Sequence, residues 1–122
     1  MSSSNGQQLV VLARGDLSLE DAALAIRIAL ALPLGGVTVR LILADSASAL
    51  ALAEPPELGP WTGSLSREFE ALIRDQEVPV LVELESLVQL GMADRELRLG
   101  VEVASRAEVV AACGSSGSFL VL

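Results

Sequence analysis

Five short apolar runs, separated by stretches long enough to hold helices, constrain this chain more than any other feature of it. Leu9-Val10-Val11-Leu12-Ala13 is apolar at every position, the pattern of a strand covered on both faces. Val37-Thr38-Val39-Arg40-Leu41-Ile42-Leu43 alternates and then becomes wholly apolar, which predicts a second strand with a partly exposed start. Val78-Pro79-Val80-Leu81-Val82-Glu83-Leu84 reads as a third strand, its proline tolerated near the beginning. Gly100-Val101-Glu102-Val103 and Ser118-Phe119-Leu120-Val121-Leu122 supply two more.

The segments between them carry helix signals. Ser18-Leu19-Glu20-Asp21 resembles a capping box, with Asp in place of the usual Glu, and opens a helix that runs to about Leu32. Pro33 and Gly35-Gly36 stop it. A short Ala/Leu helix over about Ala47 to Ala53, another over about Leu65 to Asp75, and a brief one from Glu85 to Leu90 ended by Gly91 follow. Ser105-Arg106-Ala107-Glu108 is a full capping box, and its helix is expected to close at Gly114. Strands alternating with helices over short connections demand right-handed crossovers and a parallel sheet covered on both sides. The expected class is α/β: a small flavodoxin-like three-layer domain with a mostly parallel five-stranded sheet. Residues 1–8 form a polar, flexible leader, and 9–122 form a single domain with no internal repeat.

Composition narrows the chemistry. The chain has 122 residues, 52% of them hydrophobic and 2% aromatic, and a net charge of −8. Its field repels phosphate backbones, its eight arginines are scattered singly, and it has few rings on which bases could stack, so neither nucleic acid nor an anionic membrane is an expected partner. No apolar stretch approaches the ~18 uninterrupted residues a spanning helix needs. Without His, Lys or Tyr, the commonest general base, every Schiff-base nucleophile and the phenolic acid are missing. No metal site and no cofactor are expected, since transition metals draw on imidazole or several thiolates. One cysteine, Cys113, cannot form an internal disulfide, and the leader has no basic or long apolar segment. The expected location is the cytoplasm.

In an open parallel sheet, ligands bind beyond the carboxyl ends of the strands. Arg14, Asp16, Asp45, Glu83, Glu85 and Ser86 would cluster there. Neighbouring carboxylates at such an edge could raise one another's pKa and act as acid and base, or hold a hard cation such as Mg²⁺. The competing reading makes them solvated loop residues and helix caps. A phosphoryl-accepting receiver would need a lysine that this chain lacks. Flavin binding would need a hydroxyl-rich loop after the first strand, where Ala13-Arg14-Gly15-Asp16-Leu17 offers one glycine and an acid. Cys113 lies at the carboxyl end of the last helix, where the dipole disfavours a thiolate, and reads as an inert, partly buried thiol. Leu58, Trp61 and Leu65, in or beside the long loop Glu54 to Gly63, are candidates for an apolar interface.

The order and spacing of several of these features resemble the DsrE/DsrF/DsrH-like family of sulfur-relay proteins. They are the first strand running into a short Gly loop, Leu32-Pro33-Leu34-Gly35-Gly36-Val37-Thr38-Val39-Arg40-Leu41, Asp45 after the second strand, and Gly100-Val101-Glu102-Val103-Ala104-Ser105 before the final helix. The resemblance covers about Leu9 to Leu122. It implies trimers or hexamers of like or related subunits, and a persulfide-carrying cysteine at the end of the third strand. Here that place falls on Glu83, or on Ser86 in the nearest alternative register, and a carboxylate cannot hold a persulfide. The expectation is therefore a non-catalytic assembly or partner-binding protein, an accessory subunit in intracellular sulfur transfer. The alternative is a small-molecule or Mg²⁺-binding protein, or an enzyme, using the carboxylates at the sheet edge.

Overall fold

The computed structural model describes residues 8–14, 20–54, 62–115 and 118–122, with the side chains of 8, 20–23 and 62–66 left aside. Asp16, Leu58, Trp61 and the Ser18-Leu19 start of the first capping box lie outside the described residues, and Leu65 is described only as part of a helical backbone. The strands are β1 (Gln8–Ala13), β2 (Thr38–Leu43), β3 (Val80–Glu83), β4 (Val101–Ala104) and β5 (Ser118–Val121). The helices are α1 (Glu20–Ala31), α2 (Thr62–Arg74), α3 (Leu84–Gln89) and α4 (Arg106–Ser115). All strand pairs are parallel, in the order β4-β3-β2-β1-β5. The expected five-stranded α/β layering is thus present, its sheet wholly parallel.

That order explains the two layers of helix. From β1 to β4 the chain steps along the sheet in one direction, so right-handed crossovers put α1 and α2 on the same face. The step from β4 back to β5 runs the other way, which sends α4 to the opposite face. Side chains follow this division. Val11, Ala13, Leu41, Leu43, Val80 and Val82 pack against Ala25, Ile26 and Ala29 of α1 and Phe69 and Leu72 of α2. Val10 and Ile42 point the other way, onto Val109 of α4. Continuous apolar strands are needed because both faces are covered. Phe69 is fully buried, which for a phenylalanine is worth about 2–3 kcal/mol relative to exposure.

Local chemistry sets the element ends. Pro33 is the second residue of a 3-10 turn, Leu32–Gly35, and Gly36 at φ 86 donates its N–H back to Leu32 and Pro33 carbonyls. The Ala/Leu segment after β2 is a 3-10 helix, Asp45–Ala51, and not the α-helix expected over Ala47 to Ala53. Its small residues are buried without gaps against β3 and α3, so packing, more than helical propensity, shapes the segment. The Ser105 capping box forms as expected: Ser105 N–H donates to Glu108 Oε1 at 3.0 Å, and Glu108 N–H to Ser105 Oγ at 3.2 Å. Helix α4 runs one residue past the expected stop, with Gly114 inside its last turn.

The segment between α3 and β4 is pinned by a buried arginine. Arg98 donates through Nε to the Leu50 carbonyl at 2.8 Å and through Nη1 to Glu70 at 3.2 Å, and it lies 5.3 Å from the Phe69 ring centroid. Burial pulls its pKa down from the ordinary value while Glu70 opposes the shift. Its backbone N–H also bonds the Ala51 carbonyl. Among the described residues, no helix is long and apolar enough to cross a membrane.

Candidate functional site

Because every strand points the same way, all their carboxyl ends open on one edge. Arg14 follows β1, Asp45 follows β2, Glu83 ends β3, Ser86 sits one turn on in α3, and Arg106 starts α4 just after β4. These five residues form one connected network, through their side chains and the Asp45 backbone N–H. Arg14 Nε donates to Asp45 Oδ2 at 2.7 Å. The Asp45 N–H donates to Ser86 Oγ at 2.8 Å, and that hydroxyl donates in turn to Glu83 Oε1 at 2.6 Å. Arg106 Nη2 reaches the same Glu83 oxygen at 3.0 Å.

Asp45 holds φ at 50°, in the left-handed region. Aspartate tolerates that conformation better than most residues, and here it aims the backbone N–H at Ser86 while the carboxylate meets Arg14. Ser86 is fully buried, and its hydroxyl both accepts and donates within the network. Glu85 has a different task. Its carboxylate accepts the backbone N–H of Arg106 at 2.8 Å, capping the start of α4 from a neighbouring element.

Electrostatics settle the state of Glu83. The hydrogen bond from Arg106 holds its carboxyl below the usual value, the Ser86 hydroxyl assists, and burial opposes without prevailing. Arg106 is pushed up by the same bond. Glu83 is therefore ionised at neutral pH, with its side chain 7% exposed. The pKa of Glu83 is lowered and not raised by its surroundings, because the Arg106 guanidinium lies against it. Nor does any set of three Asp, Glu, His or Cys side chains gather as a metal site would require, among the described residues.

A cleft of about 690 Å³ opens over this network on the α4 side of the sheet, a size that suits a small ligand. It is lined by the polar side chains of Arg14, Asp45, Glu83 and Arg106 and by the apolar side chains of Leu12, Val109, Val110 and Phe119, among others. Cys113 lines the same cleft and is half-buried. The structure thus brings together Arg14, Asp45, Glu83 and Ser86 of the sequence candidates and turns Glu85 to a cap. Sequence reasoning missed Arg106 as a member, although its place immediately after β4 was the available signal. It also missed that Cys113 faces the edge where Glu83 stands. A second cleft, of about 500 Å³, lies between α2 and the segment before β4 and is lined in part by Glu70, Ile73, Arg98 and Leu99.

No family model matches the chain, and no curated protein matches it by sequence. Solved structures similar to it include the following two. One is the ychN protein of E. coli, at 24% identity and a TM-score of 0.80, over 95% of this chain and 99% of that one. The other is MTH1491 of Methanobacterium thermoautotrophicum, described as a protein of unknown function, at 17% identity and a TM-score of 0.65, over 94% of this chain and 97% of that one. The likeness runs nearly end to end in both, so the chain shares with ychN and MTH1491 an α/β three-layer fold.

Proposed function

We propose that this protein is a non-catalytic DsrE-like subunit that assembles with itself, as a trimer or hexamer, or with related subunits, and serves intracellular sulfur transfer in the cytoplasm as an accessory component. One observation carries the reading. Glu83, at the place where the resembling family keeps its sulfur-carrying cysteine, is a buried, ionised carboxylate tied to Ser86 and Arg106. Such a group offers neither a nucleophile for sulfur nor a proton to give at neutral pH. The likeness to ychN and MTH1491 over nearly the whole chain supports the fold side of the proposal.

Native mass spectrometry before and after exposure to a persulfide donor tests it. The expected result is a discrete oligomer whose mass does not change. A gain of one sulfur atom per chain would make Cys113 a carrier and end the non-catalytic reading, and a monomer at micromolar concentration would end the assembly reading.

The cleft favours a second reading, a small-molecule binding protein, because an apolar lining with a few convergent polar groups is how such sites are commonly built. Glu83→Ala separates the two. Assembly survives the change in the first reading, whereas in the second a ligand-induced rise in melting temperature disappears.

A further inference from the structure

The charged residues lining the cleft at the sheet edge are two arginines and two acids, Arg14, Arg106, Asp45 and Glu83. Their charges sum to zero, while the whole chain carries −8. A free anion is repelled by the field of the chain, and a free cation meets two guanidinium groups at the site. A molecule that carries both signs and no net charge meets neither obstacle.

Each of the four has hydrogen-bonding capacity left over. Buried Glu83 takes both of its hydrogen bonds, from Ser86 and from Arg106, on Oε1. Its Oε2 accepts none among the described residues, yet it is not sealed from solvent, and the open space that Glu83 borders is the cleft. Asp45 likewise uses Oδ2 and leaves Oδ1. On the donor side, Arg14 bonds through Nε and Arg106 through Nη2, and both side chains are about half exposed, at 57% and 51%. Each guanidinium therefore keeps N–H groups to offer. A buried carboxylate oxygen without a donor is best satisfied by a charged N–H group, and a guanidinium by a carboxylate.

Resting on the small-molecule reading above, we infer that this cleft binds a small zwitterion with an apolar side chain, of the class of the α-amino acids. The ligand's ammonium donates to Glu83 Oε2, and its carboxylate accepts from Arg14 and Arg106. Spacing selects this class over longer zwitterions. Arg106 Nη2 lies 3.0 Å from the Glu83 carboxylate, so the ligand's two charges must be neighbours, as they are when both groups sit on one carbon. Leu12, Val109, Val110 and Phe119 offer the apolar surface for its side chain.

Amide NMR spectra of the full-length protein, read at residues 83, 106 and 109–113, test the assignment. The probes share one branched aliphatic tail: L-leucine, isocaproate without the ammonium, isopentylamine without the carboxylate, and 4-methylpentanamide without charge. Leucine is expected to bind more tightly than the other three by about tenfold to a hundredfold, the loss that follows from removing a charged hydrogen bond. Glu83→Gln should weaken leucine by roughly tenfold and leave isocaproate no weaker. Arg14→Gln, at a half-exposed side chain with one bond, should weaken leucine and isocaproate and spare isopentylamine, and it carries the test if the Glu83 variant does not fold. Isocaproate, isopentylamine or the amide binding at these residues as tightly as leucine would overturn the zwitterion and leave the small-molecule reading standing. So would folded variants that hold leucine as the wild type does. If none of the four moves these resonances, the zwitterion assignment is overturned, and if a fragment set of varied shape and charge moves none either, the small-molecule reading is overturned with it.

Discussion

Replacing Glu83 with glutamine keeps the side chain's shape and removes its charge, and the structure sets the size and the pH dependence of the outcome. The carboxylate accepts a hydrogen bond from the buried Ser86 hydroxyl at 2.6 Å and another from Arg106 at 3.0 Å. A hydrogen bond to a charged group contributes about 1.5–3 kcal/mol, against about 0.5–1.5 for a neutral pair. The Ser86 bond, sealed from water, feels that whole difference of roughly 1 kcal/mol. The Arg106 bond feels less, because its guanidinium is half in solvent and screened. A neutral amide is easier to bury, which returns part of the loss. Glu83→Gln should therefore be less stable than wild type by about 1–2 kcal/mol at pH 7. The folded carboxyl titrates below its ordinary value of 4.5, so the unfolded chain binds its proton first as pH falls. The contribution is fully present above about pH 4.5 and disappears as pH drops through the lower folded value. Urea unfolding of both proteins at one protein concentration, from pH 7 to pH 3, reads the difference directly, since the other carboxylates are common to both. A gap that stays constant across this range, or a variant at least as stable as wild type at pH 7, would refute the reasoning.

Three further perturbations have defined outcomes. Gly100 holds φ at +92 and a Cβ there would fall 2.5 Å from Ile73 Cγ2, so Gly100→Ala should cost roughly 2–3 kcal/mol in denaturant unfolding. Gly91→Ala, also at positive φ but in open space, should cost only about 1 kcal/mol, and equal losses would remove the steric part of the argument. Phe69→Ala empties a fully buried site under Arg98 and should lose about 3–5 kcal/mol, a smaller loss meaning that the core collapses into the space. Ser105→Ala removes the side-chain acceptor from the start of α4 and should cost about 1 kcal/mol, with hydrogen exchange speeding up first at residues 106–108.

Much of the architecture was legible because buried parallel strands leave a plain mark. Leu9 to Ala13 and Leu41 to Leu43 are apolar throughout, since both sheet faces are covered, and the Ser105–Glu108 box announces α4 by its own local bonding. Strand order is not written in that pattern: β5 reads the same whether it lies beside β1 or at the far edge. The candidate site was half legible for a related reason. Position after a strand places Arg14, Asp45, Glu83 and Arg106 at one edge, but which acid meets which arginine depends on distances between strands that only the fold supplies. Asp45 shows the limit well, since its role rests on a left-handed φ that no neighbouring residue in the sequence announces.

The strand order also bears on how the chain reaches its folded state. Strand β1 lies inside the sheet, between β2 and β5, yet its partner on one side comes from near the opposite end of the sequence. Pairing Val10 with Phe119 requires closing almost the whole chain into a loop, and contacts of such long range are slow to form. During synthesis, β1, β2 and β3 can associate early while the outer edge of β1 stays open until β5 has emerged. That edge is a row of unpaired peptide groups flanked by the apolar Val10 and Leu12, open to wrong pairing with a neighbouring nascent chain. The rate at which β5 arrives would then set how long a half-made sheet must be kept from its own copies.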